Sequence, residues 1–267
     1  MRELAGHFDV EGTEQAVYEH RLARDSDEYA AALLRATGTE ILLVDDGFPP
    51  PGTGVEWEEL GELAACRALP VLRLETHGPG SVAGARQAGF AALKTIAAYR
   101  GGLDRVSEQI VAALEANEAT GRPLPVQVHC GFGDSDLHLW RADPTCLKPL
   151  LERFRETPFV LLHCYPFVRE AGWLAHVYGN VWFDLSLTIP HVGRPAEQVR
   201  QALELAPYSK LLYASDAART PELYFLAAKW WRDALAEVLA EALPPEEAEQ
   251  AGRAILRENA LALYGLA

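Results

Sequence analysis

The feature that most narrows the possible folds is a rhythm. Seven short apolar runs, near residues 41, 71, 91, 126, 159, 181 and 211, alternate with amphipathic stretches of helical composition. Short apolar runs bounded by Gly or Pro suit strands buried on both faces, and strands separated by helices pair in parallel. The helical stretches read as residues 1–37, with Thr13 and Glu14 opening a helix through 29–34 that Gly38 ends, then 57–69, 81–88, 103–120, 144–155, 167–177, 195–205, 221–239 and 245–264. Pro49-Pro50-Pro51-Gly52 reads as a loop. No low-complexity linker interrupts the alternation, so residues 1–267 are expected to form one domain.

The strand ends decide between an open sheet and a barrel. Nearly every run finishes in an ionisable group: Asp45 or Asp46, Glu75, Lys94, His129, His163, Asp184 and Asp216. In a barrel those ends meet at one mouth, whereas in an open sheet the outermost stay far apart. The expected fold is therefore an α/β barrel of the TIM (β/α)8 type. Such a barrel has eight strands; this chain begins with helical sequence, so it reads as short of the first one.

Charge and cysteine usage bound the partners. With 38 acidic against 24 basic residues the formal net charge is −14, which argues against nucleic acid or an anionic membrane surface. No apolar stretch has signal-peptide or membrane-spanning character. Cys66, Cys130, Cys146 and Cys164 lack zinc-knuckle or redox spacing. A soluble cytoplasmic protein with reduced thiols, acting on a small molecule, is the expectation.

The chemistry concentrates around VQVHCGFGDSD, residues 126–136, where a buried strand delivers His129 above a glycine loop carrying Asp134 and Asp136. Alternation along a strand turns His129 and Gln127 one way and Cys130 the other. The same rule groups His163 with Leu161 against Cys164, so both cysteines read as small buried hydrophobes. His129, His163 and Asp216, at separate strand exits, form a donor set suited to Zn²⁺, Mn²⁺ or Fe²⁺. Taken singly, each histidine also fits a satisfied core group, and Asp216 fits a cap for the helix starting at Thr220–Pro221.

Residues HCGFGDSDLHLW, LLHCYPF and LLYASDA, with GFAALKTIAAYRGGL and ILLVDDGF upstream, resemble the amidohydrolase superfamily. The likeness is greatest to its amidohydrolase-2 branch, including the amidohydrolase-like domain fused to glutamine synthetase-like enzymes, and it runs from about Leu33 to Tyr264. The resemblance implies a (β/α)8 barrel and a divalent metal, zinc foremost, held by His129, His163 and Asp216. It also implies hydrolysis of small amides, lactones or related carbonyl compounds, with Asp216 as proton carrier, or in some members decarboxylation. One departure stands out. The family's first strand ends in His-x-His, and neither motif nor strand is present; His7 and His20 lie in helical sequence without that spacing. A non-catalytic barrel, used for binding or as a scaffold, is the alternative this departure opens.

Other residues fill supporting roles in this reading. Lys94 holds substrate, bridges two metals once carboxylated, or pairs with Glu75 on the neighbouring strand, the last being favoured. Arg100, before Gly101-Gly102, could clamp a substrate carboxylate. Asp134 could orient a ligand or cap its loop. Gly131-Phe132-Gly133 is too short for a dinucleotide fingerprint. The helix carrying Trp230 and Trp231 serves barrel packing or a homo-oligomer contact. His77, His138, His176 and His191 are the loop and helix histidines within possible reach of the mouth.

Overall fold

A computed structural model describes residues 1–48 and 52–266; the loop expected at 49–52 lies mostly outside them. Seven strands form one parallel sheet in chain order: β1 (Ile41–Asp45), β2 (Arg67–Arg73), β3 (Ala92–Thr95), β4 (Val126–Cys130), β5 (Phe159–His163), β6 (Val181–Asp184) and β7 (Leu211–Leu212). Every neighbouring pair is parallel, and β1 and β7 are the two edges. The sheet curls into a barrel with an open seam between β1 and β7, as the rhythm and the strand count require.

Two apolar clusters show which way each strand residue faces. Leu72, Leu93, Val126, Val128, Cys130, Phe159, Leu161, Val181, Phe183 and Leu211 pack under the surrounding helices. The alternate residues Val71, Ala92, Val160, Leu162 and Leu212, with Leu43 and Trp182 beside them, form a second cluster on the concave side. That cluster is completed by Tyr264, Ala260 and Leu263 of the last helix. Cys130 and Cys164 both lie in the outer cluster and carry free thiols.

The C-terminal helical segment stands at the seam. It runs as Pro245–Arg253, a π turn over Ala254–Glu258, and Asn259–Tyr264. Asn259 Nδ2 donates to the carbonyls of Tyr208 (2.8 Å) and Leu211 (2.9 Å), and Tyr213 N donates to Ile255 O (3.1 Å). Arg257 pairs with Glu40, just before β1, through Nε (2.5 Å) and Nη2 (3.1 Å). A helix thus ties both edges where a strand would otherwise hydrogen-bond them.

The element boundaries differ from the sequence reading at several points. Residues 1–37 form three helices, Arg2–Phe8, Glu14–Leu22 and Ser26–Ala36. Thr13 caps the second, but Asp25 accepts from Asp27 N and Glu28 N and starts a separate third. The helix at Trp57 stops at Ala64, because Ala65 adopts a left-handed conformation and sends the chain straight into β2. β2 therefore ends at Arg73, and Glu75 sits on the short helix Leu74–His77 rather than on a strand. β7 has two residues, because beyond Leu212 the backbone donors turn to the C-terminal helix, and Asp216 lies in the following loop.

The N-terminal helices pack against the long helix Pro221–Ala242 around Leu4, Val17, Tyr29 and Leu33. His7 and His20 lie in that cluster against Phe8, Phe225 and Tyr29, away from the strand ends. Trp231 is fully buried beside Tyr213, a packing residue of the barrel wall. Among the described residues, no helix is long and apolar enough to cross a membrane.

Candidate active site

Strand parity supplies the inner wall of the mouth. With Leu43, Val71, Ala92 and Trp182 inward, the residues two places on are Asp45, Arg73, Lys94 and Asp184, and Gln127 leads in the same way to His129. His129 and His163 meet here edge to face, with ring centroids 4.6 Å apart. Only His129 arrives by parity. His163 shares the parity of Phe159 and Leu161, both under the helices, and its register partner is the outward Cys130. It reaches the mouth because His163 and Cys164 both take φ of 69°. That left-handed pair, rare away from glycine, reverses the direction of the side chain. The grouping of Leu161 with His163 is thereby corrected: Leu161 faces out and His163 faces the site.

Asp184 holds this conformation. Its Oδ1 accepts from His163 N (2.8 Å), Ser186 N (2.9 Å) and Ser186 Oγ (2.7 Å). Ser186 Oγ is 2.6 Å from His163 Nδ1. A carboxylate only accepts, so the Ser186 hydroxyl donates to Asp184 and must accept from Nδ1–H. Leu187 N, 3.5 Å from Nδ1, is too distant to reverse this assignment. The lone pair of His163 is then on Nε2. Burial pushes the Asp184 carboxyl up, and the bonds from His163 and Ser186 pull it back.

Burial also pushes both imidazoles well below their ordinary range. The charges of His163, Lys94 and Arg73 act the same way on His129, and that of Lys94 on His163; a backbone hydrogen bond at Phe132 opposes the shift at His129. Both rings are therefore neutral, the form that binds metal or accepts a proton. His129 Nε2 is buried without a hydrogen-bond partner among the described residues. Tyr99 lies 4.7 Å from the His129 ring and accepts from Asp134 N (3.0 Å). Gly133 closes this cradle: a Cβ there would overlap the Tyr99 hydroxyl and stand 3.1 Å from His129 Nε2.

Asp216 lies in the loop after β7, its Oδ2 3.9 Å from His163 Nδ1. It is not a helix cap, since Thr220 precedes the helix at Pro221 and no side chain caps it. Burial pushes its carboxyl up, with Asp45 acting in the same sense and Lys94, His191 and Arg73 against. Burial, with the charge of Asp216 in the same sense, pushes the Tyr224 phenol up to about 12.

The expected pair of Lys94 and Glu75 is not formed. Lys94 is 6% exposed and faces the site, but it does not pair with Glu75. Glu75 Oε1 accepts from Thr95 Oγ1 (2.6 Å) and Ile96 N (2.8 Å), a consequence of Glu75 leaving the strand. Arg100 is exposed, its guanidinium donating to the Tyr99 carbonyl at 3.4 Å. Asp134 is also exposed, tied in by its backbone. The arginine at the mouth is Arg73, which parity with Val71 would have revealed. Ser186 lies past its strand and had no local signal. Among the loop histidines, His77 meets Asp46, His191 lies 6.1 Å from Phe132, and His138 packs on Trp140.

The donors suit a divalent cation: two neutral imidazoles, one with an unpartnered nitrogen, and a carboxylate nearby. Yet among the described residues no three His, Cys, Asp or Glu side chains stand close enough to ligate one ion. Among the described residues the ligand set is partial.

A family model described as amidohydrolase matches residues 9–266. The chain belongs to the amidohydrolase family. Protein fluG of Emericella nidulans is 39% identical over 171 residues, which cover 61% of this amidohydrolase and 20% of that protein; the match thus spans about a fifth of the relative's length. A crystal structure from Lactobacillus casei, of a protein proposed to be a metal-dependent hydrolase, superposes with a TM-score of 0.83 at 27% identity. It covers 98% of this chain and 82% of its own. Dihydroorotase from Campylobacter jejuni shares the fold at a TM-score of 0.62 and 18% identity, over 90% of this chain and 79% of its own.

Proposed function

We propose that this amidohydrolase is a metal-dependent hydrolase of a small amide, lactone or related carbonyl compound. One observation carries the reading: two imidazoles meet edge to face on adjacent strand exits, and a buried nitrogen of His129 has no hydrogen-bond partner among the described residues. A buried polar atom left unsatisfied is costly and calls for a ligand. His129 and His163 would hold the cation, zinc foremost and manganese or iron as substitutes, with Asp216 beside them. A cation held there would supply Lewis acidity toward a carbonyl and toward water.

The chain's own residues supply the remainder. Asp184 and Ser186 fix the His163 ring with its lone pair on Nε2. Asp216, partly open to solvent, takes the proton of the attacking water and returns it to the leaving group. Lys94 and Asp134 contact substrate in this reading. A second reading, a non-catalytic barrel, is favoured by the partial ligand set.

The test is turnover. Protein dialysed against Zn²⁺ or Mn²⁺ is assayed on a panel of amides and lactones, beside Asp216→Asn and His163→Asn. The hydrolase reading expects metal-dependent turnover that falls by ~10²-fold or more in Asp216→Asn while the fold persists. Absence of turnover across the panel, with no metal retained by elemental analysis, would favour the non-catalytic barrel.

A further inference from the structure

Two cations stand side by side in the mouth. Arg73 on β2 and Lys94 on β3 are register partners, and both share the parity of the concave face. Like charges directly beside one another destabilise a sheet, and a buried ammonium without a partner costs more still. Arg73 is built into place. Its Nε lies 3.0 and 3.1 Å from the two oxygens of Asp45, and its Nη2 also pairs with Asp45. Its backbone N–H donates to Asp46 (2.8 Å), and a Cβ on Gly47 would stand 2.6 Å from Arg73 Cγ. One edge of the guanidinium is therefore fixed, while Nη1 has no hydrogen-bond partner among the described residues.

Lys94, 6% exposed, has neither hydrogen bond nor ion pair among the described residues. Glu75, the partner expected for it from the sequence, is engaged by Thr95 and Ile96. We propose that Lys94 and the free edge of Arg73 form a subsite for one carboxylate of the substrate. This rests on the hydrolase reading and narrows its substrates to carbonyl compounds that carry a carboxylate away from the bond being cleaved. Charge counting favours a monoanion. The two cations already face Asp45 and Asp216, so a monoanion adds one negative charge to a balanced mouth where a dianion such as phosphate would add two.

The experiment is calorimetric binding in EDTA, which separates it from turnover. The probes are the half-amides of malonate, succinate and glutarate, each against its neutral diamide, with inorganic phosphate as a further arm. At least one half-amide is expected to bind while its diamide does not. Affinity should fall about tenfold or more in Lys94→Met and Arg73→Gln and stay unchanged in Arg100→Gln. Lys94→Met replaces an unpaired charge with an apolar chain of similar length, so it should fold at least as well as the parent.

The subsite is overturned if half-amides and diamides bind alike or not at all, or if Lys94→Met binds like the parent. It is also overturned if phosphate binds more tightly than every half-amide, or if ¹³C-bicarbonate yields a carbamate on Lys94. Hydrolysis of neutral amides without half-amide binding would sink the subsite and leave the hydrolase reading standing. Half-amide binding without turnover of any compound would do the reverse.

Discussion

At the scale of the residue, the site depends on a histidine turned against its strand. His163 faces the mouth through two left-handed residues, and the three bonds accepted by Asp184 Oδ1 hold it there. Ser186→Ala removes the acceptor of Nδ1–H, so the single tautomer should give way to a mixture. Imidazole ¹⁵N spectra would show this, and an unchanged spectrum would mean that Ser186 does not set the tautomer. The buried rings also make stability depend on pH. In the unfolded chain both histidines titrate near 6.5, and in the fold both are held well below that. The unfolded state therefore binds protons first as pH falls. The stabilisation is complete above about pH 6.5 and is lost below it, by up to about 1.4 kcal/mol per pH unit for each ring. Asp184, pushed up by burial, acts in the opposite sense and gives some stability back at more acidic pH. Thermal midpoints measured from about pH 8 to 5 should decline below about 6.5; a flat profile would show that the rings are not held neutral.

At the scale of the element, the C-terminal helix does what a strand would do elsewhere. It hydrogen-bonds the β7 side, pairs with Glu40 before β1, and places Tyr264 in the concave core. The Tyr264 hydroxyl accepts from Gln127 Nε2 at 3.1 Å, two residues below His129. Tyr264→Phe should cost about 1 kcal/mol, the loss of one buried bond. Tyr264→Ala should cost about 3–5 kcal/mol, as expected for removing a large buried ring. Urea denaturation of both variants measures this, and equal, small losses would show that the helix end does not plug the barrel.

At the scale of the whole molecule, the open seam makes stability uneven. β4 and β5 are flanked on both sides and nearly wholly buried, whereas β1 has one neighbour and is only half-buried along its length. Edge strands open more easily than central ones. Amide exchange should be measurably faster across residues 41–45 than across 126–130 and 159–163. Equal protection would mean that the seam is closed in solution by contacts such as a second chain.

Much of this protein was legible in its sequence, for definite reasons. The parallel order of β1 to β7 follows from alternating apolar runs and helices, because each crossover helix forces its strands to run the same way. The inward turn of His129 and the outward turn of Cys130 follow from a period of two. Arg73 was within reach of the same rule. Tertiary structure alone decided the rest. His163 breaks the period through left-handed backbone that no local pattern announces. Glu75 leaves its strand one turn early and so abandons Lys94, while Arg100 falls on the surface. Ser186, 23 residues from His163, acquires its role only when β5 and β6 lie side by side. Local periodicity sets which face a strand residue takes, but hydrogen bonds between segments far apart in the chain set where the chain departs from that period, and the candidate site is built at those departures.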